Sequence, residues 1–385
     1  MFNFNSPTGL IFGNQTSKNS TDQIINLLGK KIFVISDKGL INLGLLEPTI
    51  KKLKVNSNIK IFDSVESDPS KSTLLKAFNE AKEFNATGCL GFGGGSSMDV
   101  AKLVSLLLGS NQDIETIWGV NNAIGPRLPL VLIPTTAGTG SEVTPISIIT
   151  MEDKEKKGVS SKYILPDLAI LDPLLTINLP ANITASTGVD AMVHAIEAFT
   201  SVNPNNNPIS KMMSIEALKL LGSSIEVAVF DGKNINARSN MLLGSMLAGK
   251  AFANSPVAAV HALAYPIGGL FNISHGLSNS LVLPYVLKFN SLNEEARKNY
   301  AYLAPYVFKN LENNKNDEKL CNHFIDLIEN LSKKLKLPYR LRDLGIPEEA
   351  CNSMAKEAMK QTRLLVNNPR KIEESDAFNI YKAAW

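Results

Sequence analysis

Gly88-Cys89-Leu90-Gly91-Phe92-Gly93-Gly94-Gly95-Ser96-Ser97-Met98-Asp99-Val100-Ala101-Lys102 reads as a short apolar strand that breaks into a glycine loop and resumes as a helix. Glycines let backbone N–H groups approach phosphate oxygens closely. A helix N-terminus adds unpaired donors and a partial positive charge. Ser96 is placed to cap that helix, with Asp99 three residues on completing a capping box. Met98 stands where the third glycine of Gly-x-Gly-x-x-Gly would be, so the stretch departs from the usual dinucleotide fingerprint. A tight strand-to-helix turn without a ligand would carry the same glycines.

Three similar apolar runs surround it: Ile32–Ile35, Ile59–Phe62 and Leu130–Pro134. Helical patterns lie between Ile32–Ile35, Ile59–Phe62 and Gly88–Phe92, as in 70–84, where Leu74, Leu75, Phe78 and Ala81 share one side. Short apolar strands alternating with helices predict a parallel sheet covered on both faces. Ligands of such sheets sit at the C-terminal ends of the strands. That edge would carry Gly94, Gly95, Ser96, Ser97 and Asp99. It would also carry the hydroxyl-rich loop Pro134-Thr135-Thr136-Ala137-Gly138-Thr139-Gly140-Ser141-Glu142, whose Thr135, Thr136 and Thr139 can donate to phosphate and ribose. Asp37, after the first of these runs, can accept from ribose hydroxyls and would repel a 2′-phosphate, favouring NAD over NADP. In Ser-Asp-Lys-Gly it serves equally well as a turn residue.

After Leu179-Pro180 the pattern becomes helical throughout. Helices are predicted from Pro208 through Met212, Ile215, Leu218 and Leu221, from Ala237 to Ala251, and along Leu320, Phe324, Leu327 and Leu331. The expected organisation is an α/β dinucleotide-binding domain with a parallel sheet over 1–180 and an all-helical (all-α) domain over 181–385. Asn203–Asn207 and Asn313–Asn316 read as loops. The chain has 385 residues, 44% hydrophobic and 19% charged, with a formal net charge of +3. No basic stripe argues for nucleic acid or an acidic membrane surface. Three cysteines far apart argue against a disulfide framework. With no signal-like N-terminus and no membrane-length apolar run, the expectation is a cytoplasmic protein.

Of the four histidines, three fall in a distinctive pattern. His194 follows Asp190 by four residues on a predicted helix, so the two share a face, with Pro180 and Gly188 upstream as turn elements. His261 and Tyr265 have the same spacing on another helical stretch. His275 follows the apparent loop Pro266-Ile267-Gly268-Gly269. One carboxylate and three imidazoles suit Fe(II), Zn(II) and related ions. A lone Asp-x-x-x-His is more often an ordinary helix pair, and spacing alone does not join these residues in space. His323, on an amphipathic helix, reads as a bystander.

Taken together these stretches resemble the iron-containing (group III) alcohol dehydrogenases of the dehydroquinate synthase-like superfamily. The resemblance runs nearly end to end: Phe4-Asn-Ser-Pro-Thr-Gly-Leu-Ile-Phe-Gly13, the 93–102 loop, Pro134 to Thr144, Pro166 to Pro173, Thr187 to Ala198, the 261–275 segment and Arg363 to Arg370. It implies an α/β nucleotide domain, a helical metal-binding domain and an active site in the cleft between. It implies that Asp190, His194, His261 and His275 bind the metal, usually iron(II) and zinc in some relatives. NAD would be held by Asp37, Gly94, Gly95, Ser96, Ser97, Asp99, Thr135, Thr136, Thr139 and Lys156. Phe252 would wall the substrate pocket. The implied reaction is hydride transfer between nicotinamide C4 and a small alcohol or aldehyde held by the metal, in a homodimer or higher homo-oligomer.

Two departures stand out. Many members carry a histidine, assigned to proton transfer, where this chain has Tyr265, which reads as a pocket residue first and a proton relay second, since a phenol is a poorer base near neutrality than imidazole. Ser67-Asp68-Pro69-Ser70 replaces the usual Asn-Pro-Thr. A hydroxyacid–oxoacid transhydrogenase or a maleylacetate reductase is the alternative reading, although the latter need not use metal. A dehydroquinate synthase-like lyase ranks lower, because 185–199 and 257–270 carry no Lys or Arg for a phosphorylated, carboxylated substrate.

Overall fold

The structure, a computed structural model, describes residues 1–153, 155–308, 311 and 316–385. It divides into two compact units, one of Asn5–Asn178 and one of Leu179–Trp385 together with Met1–Phe4. The first four residues therefore join the helical unit and not the sheet. Asn3 N donates to Asn205 Oδ1, and Asn205 Nδ2 donates back to Asn3 O. So short a tail has no periodicity from which its unit could be read.

The first unit contains strands β1 (Gly9–Phe12), β2 (Lys31–Ile35), β3 (Asn58–Phe62), β4 (Gly88–Gly93), β5 (Gly119–Val120), β6 (Leu130–Pro134), β7 (Ile146–Thr150), β8 (Lys156–Ser160) and β9 (Leu168–Leu171). Six of them form one sheet in the order β1-β9-β6-β4-β2-β3, with every pair parallel. The period-two alternation feeds two cores. Ile32, Val34, Leu90, Phe92, Val131 and Ile133 pack with Ile24, Leu28, Ile50 and Leu53 of the helices Thr21–Leu28 and Glu47–Asn56. Phe33, Ile35, Cys89, Leu130 and Leu132 pack with Leu74, Ala77 and Ala81 of Lys71–Glu83 and with Met98 and Val100 of Gly95–Ser110. A fully buried Leu, Ile or Phe stabilises by about 1.5–3 kcal/mol. The central strands are thus held far more firmly than edge strand β1, where Leu10 and Phe12 stay 39% and 40% exposed. Strands β1 and β9 were not legible as strands, since each is short and bounded by Gly or Pro. A second, small sheet in the order β5-β8-β7 was not foreseen either; its β7–β8 pair is antiparallel.

The second unit is helical, without a strand among the described residues. Its helices include Ala181–Thr200, Pro208–Phe230, Ile235–Asn254, Ala259–Phe271, His275–Asn290, Glu294–Val307 and Asp317–Lys334. Three local expectations are corrected. Gly188 is not a turn residue: it lies inside Ala181–Thr200, where any larger side chain would run into Ile225 and Met241. Pro266–Gly269 is not a loop, because Ala259–Phe271 continues through Pro266 and breaks only at Asn272, which takes the left-handed conformation (φ 55°). Met212 is not a core position. It is 62% exposed, while Ser214, Ala217, Leu218 and Leu221 face inward. Of the Asn313–Asn316 stretch only Asn316 is among the described residues, and it caps Asp317–Lys334 by accepting from Lys319 N. Among the described residues no helix is long and apolar enough to cross a membrane.

Candidate metal centre and nucleotide loops

Three helices of the second unit bring Asp190, His194, His261 and His275 to one point. Asp190 and His194 lie one turn apart on Ala181–Thr200, His261 lies on Ala259–Phe271, and His275 opens His275–Asn290. Their ligand atoms all fall within 4.8 Å of one another. The close approach of two helices depends on Gly276, since a Cβ there would meet Ser186 O at 2.5 Å. Asp190, His194 and His261 are buried and His275 is half-buried. The imidazoles of His194 and His261 stack at 4.7 Å between centroids, and those of His261 and His275 lie 5.3 Å apart.

This donor set fits a divalent cation. Donors bound at about 2.1 Å lie at most about 4.2 Å from one another across the ion, so small side-chain shifts would close the cluster. His261 Nε2 is buried with no hydrogen-bond partner, a costly state that coordination would relieve. Burial works against the charge of Asp190. The imidazoles of His194, His275 and His261 and the Asn279 amide nevertheless hold its carboxyl below the usual carboxylate range.

Two supporting residues were missed from sequence. Glu197, one turn beyond His194, is buried. Its Oε2 accepts from His261 Nδ1 at 2.7 Å and Ala258 N at 3.0 Å, and its Oε1 accepts from Val260 N at 2.6 Å. Because the carboxylate only accepts, Nδ1 carries the imidazole proton and Nε2 is left as a lone-pair donor facing the cluster. The same carboxylate satisfies backbone N–H groups at the start of the His261 helix. Asn279 donates from Nδ2 to Asp190 Oδ1 at 2.6 Å. The available signal was a pair of acids, Asp190 and Glu197, in a helix with no Lys or Arg, since a buried acid needs partners.

Phe252 stacks on His194 at 4.4 Å and 19°. Tyr265 lies 6.1 Å from His275 between ring centroids, and its hydroxyl accepts from Arg363 Nη2 at 3.3 Å. His323 lies on the separate helix Asp317–Lys334 and is not part of the four-residue cluster.

The nucleotide candidates cluster in the first unit. Strands β2, β4 and β6 are neighbours, so Asp37, the glycine loop and the Thr135–Gly140 loop leave the same edge of the sheet. Thr135 N donates to Gly93 O at 3.0 Å. Gly95 leaves room for Thr139, whose Cγ2 would lie 2.9 Å from an added Cβ. The capping expectation is corrected: the helix begins at Gly95 with extended Gly94 as its cap, and Ser96 lies in the first turn, its Oγ accepting from Asp68 N. Asp99 forms no capping box; it accepts from Ser141 Oγ at 2.6 Å and Ile148 N at 2.9 Å. Ser97 is buried, and Thr136 is half-buried beside Gly94. Asp37 caps a short helix, its Oδ1 accepting from Leu40 N at 3.0 Å. Lys156, on β8, is paired with Asp68 at 2.7 Å.

The family described as iron-containing alcohol dehydrogenase matches residues 7–173, and its C-terminal counterpart matches residues 184–385. The chain belongs to the iron-containing alcohol dehydrogenase family. Long-chain-alcohol dehydrogenase 1 of Geobacillus thermodenitrificans is 38% identical over 370 residues, covering 94% of this chain and 91% of that protein. The NAD-dependent methanol dehydrogenase of Bacillus methanolicus is 31% identical over 386 residues, covering 100% of both. A crystal structure of 1,3-propanediol oxidoreductase superposes with a TM-score of 0.95 at 32% identity, covering 100% of both chains. This family member is an oxidoreductase of the alcohol dehydrogenase and aldehyde reductase type, using a metal and NAD(H).

Proposed function

We propose that the chain interconverts a small alcohol and its aldehyde or ketone with NAD as the hydride partner and iron(II) as the resident metal, zinc being the alternative. The observation that carries this reading is the convergence of one carboxylate and three imidazoles, with His261 Nε2 buried and unsatisfied. Asp190, His194, His261 and His275 would hold the cation. When bound, the metal supplies Lewis-acid polarisation of the substrate oxygen, and the nicotinamide supplies or accepts the hydride. Glu197 and Asn279 fix the orientation of the ligands. Phe252 walls the pocket and keeps water from the His194 face. Gly94, Gly95, Ser96, Ser97, Thr135, Thr136 and Thr139 would receive the phosphates and ribose, and Asp37 would accept from the adenosine ribose through Oδ2 while Oδ1 holds the helix cap. Lys156 and Asp99, both engaged within the protein, support those loops from behind. Three free, buried cysteines suit a reducing cytoplasm, and a homodimer is the familial form.

A steady-state NADH assay over a panel of aldehydes, ketones and oxoacids, run with metal analysis, tests the reading. Turnover of simple aldehydes that tracks bound metal supports it; turnover of oxoacids alone, or metal-independent turnover, contradicts it. In the same assay Tyr265→Phe is expected to keep kcat within about tenfold. Loss of a positioned general acid or base costs about 10²–10⁴-fold, so a hundredfold fall would make Tyr265 the proton relay and not a wall of the pocket.

A further inference from the structure

Lys102 is fully buried, with 0% of its surface exposed. It lies two turns into Gly95–Ser110, the helix that begins at the glycine loop. Its ammonium donates to Ser141 Oγ at 2.7 Å, Thr144 Oγ1 at 3.2 Å and Ile146 O at 2.6 Å. An ammonium has three N–H donors, and all three are used inside the protein. Asp99, one turn earlier on the same helix, lies 3.6 Å from Nζ and accepts from Ser141 Oγ and Ile148 N, while its backbone carbonyl accepts from Ser147 Oγ at 3.0 Å. Six hydrogen bonds thus tie the first two turns of this helix to 141–148, the segment that leaves the Thr135–Gly140 loop.

Burying an ammonium is costly. Burial pushes Lys102 down to about 8 against the attraction of Asp99 and Glu142, and Glu142, itself buried, is pushed up to about 7. Replacing buried ionic groups by well-packed apolar ones is often neutral or stabilising, so stability alone is a weak reason for this arrangement. What the charge supplies is geometry: one atom holding three acceptors on a neighbouring segment in fixed directions. The two loops it couples touch directly, through Thr135 N to Gly93 O and through the fit of Gly95 against Thr139.

We propose that Lys102, with Asp99, is a positioning residue for the dinucleotide: it sets the spacing between the glycine loop and the Thr135–Gly140 loop and contacts no ligand itself. This rests on the reading of those loops as the NAD site. The test is direct NADH titration by fluorescence, with separate KM values for NAD and alcohol, on wild type, Lys102→Met and Ser141→Ala. Lys102→Met, if it folds, is expected to weaken NADH binding and raise the KM for NAD on the order of 30-fold, with kcat at saturating NAD, alcohol KM and metal content changed less than about threefold. Ser141→Ala removes two of the six ties, those to Lys102 Nζ and Asp99 Oδ1, and is expected to weaken NADH binding about three- to tenfold, which decides the matter if Lys102→Met does not fold. Native-like variants that bind NADH as wild type does would overturn the proposal, as would an equal loss of kcat at saturating NAD. A wild-type protein that binds no NADH would instead refute the nucleotide-site reading beneath it.

Discussion

His261→Ala is expected to lose its metal and its turnover together while still binding NADH. The variant removes the one proposed ligand whose donor atom is buried and unpartnered, and whose proton is fixed on the far side of the ring by Glu197. Loss of an outer-shell partner of a metal site typically costs about 10–100-fold in affinity, and loss of the ligand itself should exceed that range. The fold should survive, because Glu197 keeps its two backbone partners, Ala258 N and Val260 N. The proposed nucleotide loops belong to the other compact unit, so NADH affinity should stay within about threefold of wild type. Metal content by elemental analysis and NADH titration by fluorescence read the two halves separately. Retained activity without metal would remove His261 from the site.

Glu197→Gln should weaken metal binding without removing any ligand. Three N–H donors converge on the two oxygens of Glu197: those of His261 Nδ1 and Ala258 on Oε2, and that of Val260 on Oε1. An amide offers one oxygen and one NH₂, so in either orientation at least one donor faces another donor. With the NH₂ on the Oε2 side, His261 escapes the conflict only by moving its proton to Nε2, and Nε2–H then points into the ligand cluster and cannot bind a cation. With the oxygen there, Val260 N faces the NH₂ and His261 Nδ1 keeps only a neutral acceptor, weaker than a carboxylate. The expected result is a 10–100-fold rise in the metal Kd, of the order seen when outer-shell partners are lost. Stability of the metal-free protein should also fall by about 1–3 kcal/mol, the cost of a buried unsatisfied donor. Chelator competition with Co(II) gives the first quantity and urea unfolding the second. An unchanged metal Kd in a folded variant would reduce Glu197 to a helix cap.

Much of this site was legible because its chemistry is local in sequence. Asp190 and His194 share a helical face by spacing alone. The apolar run Gly88–Phe92 followed by glycines announces a strand feeding a helix. Joining His261 and His275 to that pair needed the resemblance, since spacing within a helix says nothing about how three helices pack. Glu197 was passed over because a glutamate in a helix is ordinarily a solvated side chain; only burial shows that it needs three donors. Arg363 reaches Tyr265 from 98 residues away, which no local pattern encodes. Gly188 and the Pro266–Gly269 run failed in the opposite direction. Both carry strong breaker residues, yet packing against Ile225 and Met241 at the first, and continuation of the His261 helix through the second, override that preference.

The most direct test of the central claim is anaerobic NADH-dependent aldehyde reduction by chelator-stripped protein before and after addition of Fe(II). The expected result is NADH binding in both states, turnover only after reconstitution, and saturation at one metal per chain. Full turnover by the stripped protein, with metal analysis confirming its absence, would contradict the account.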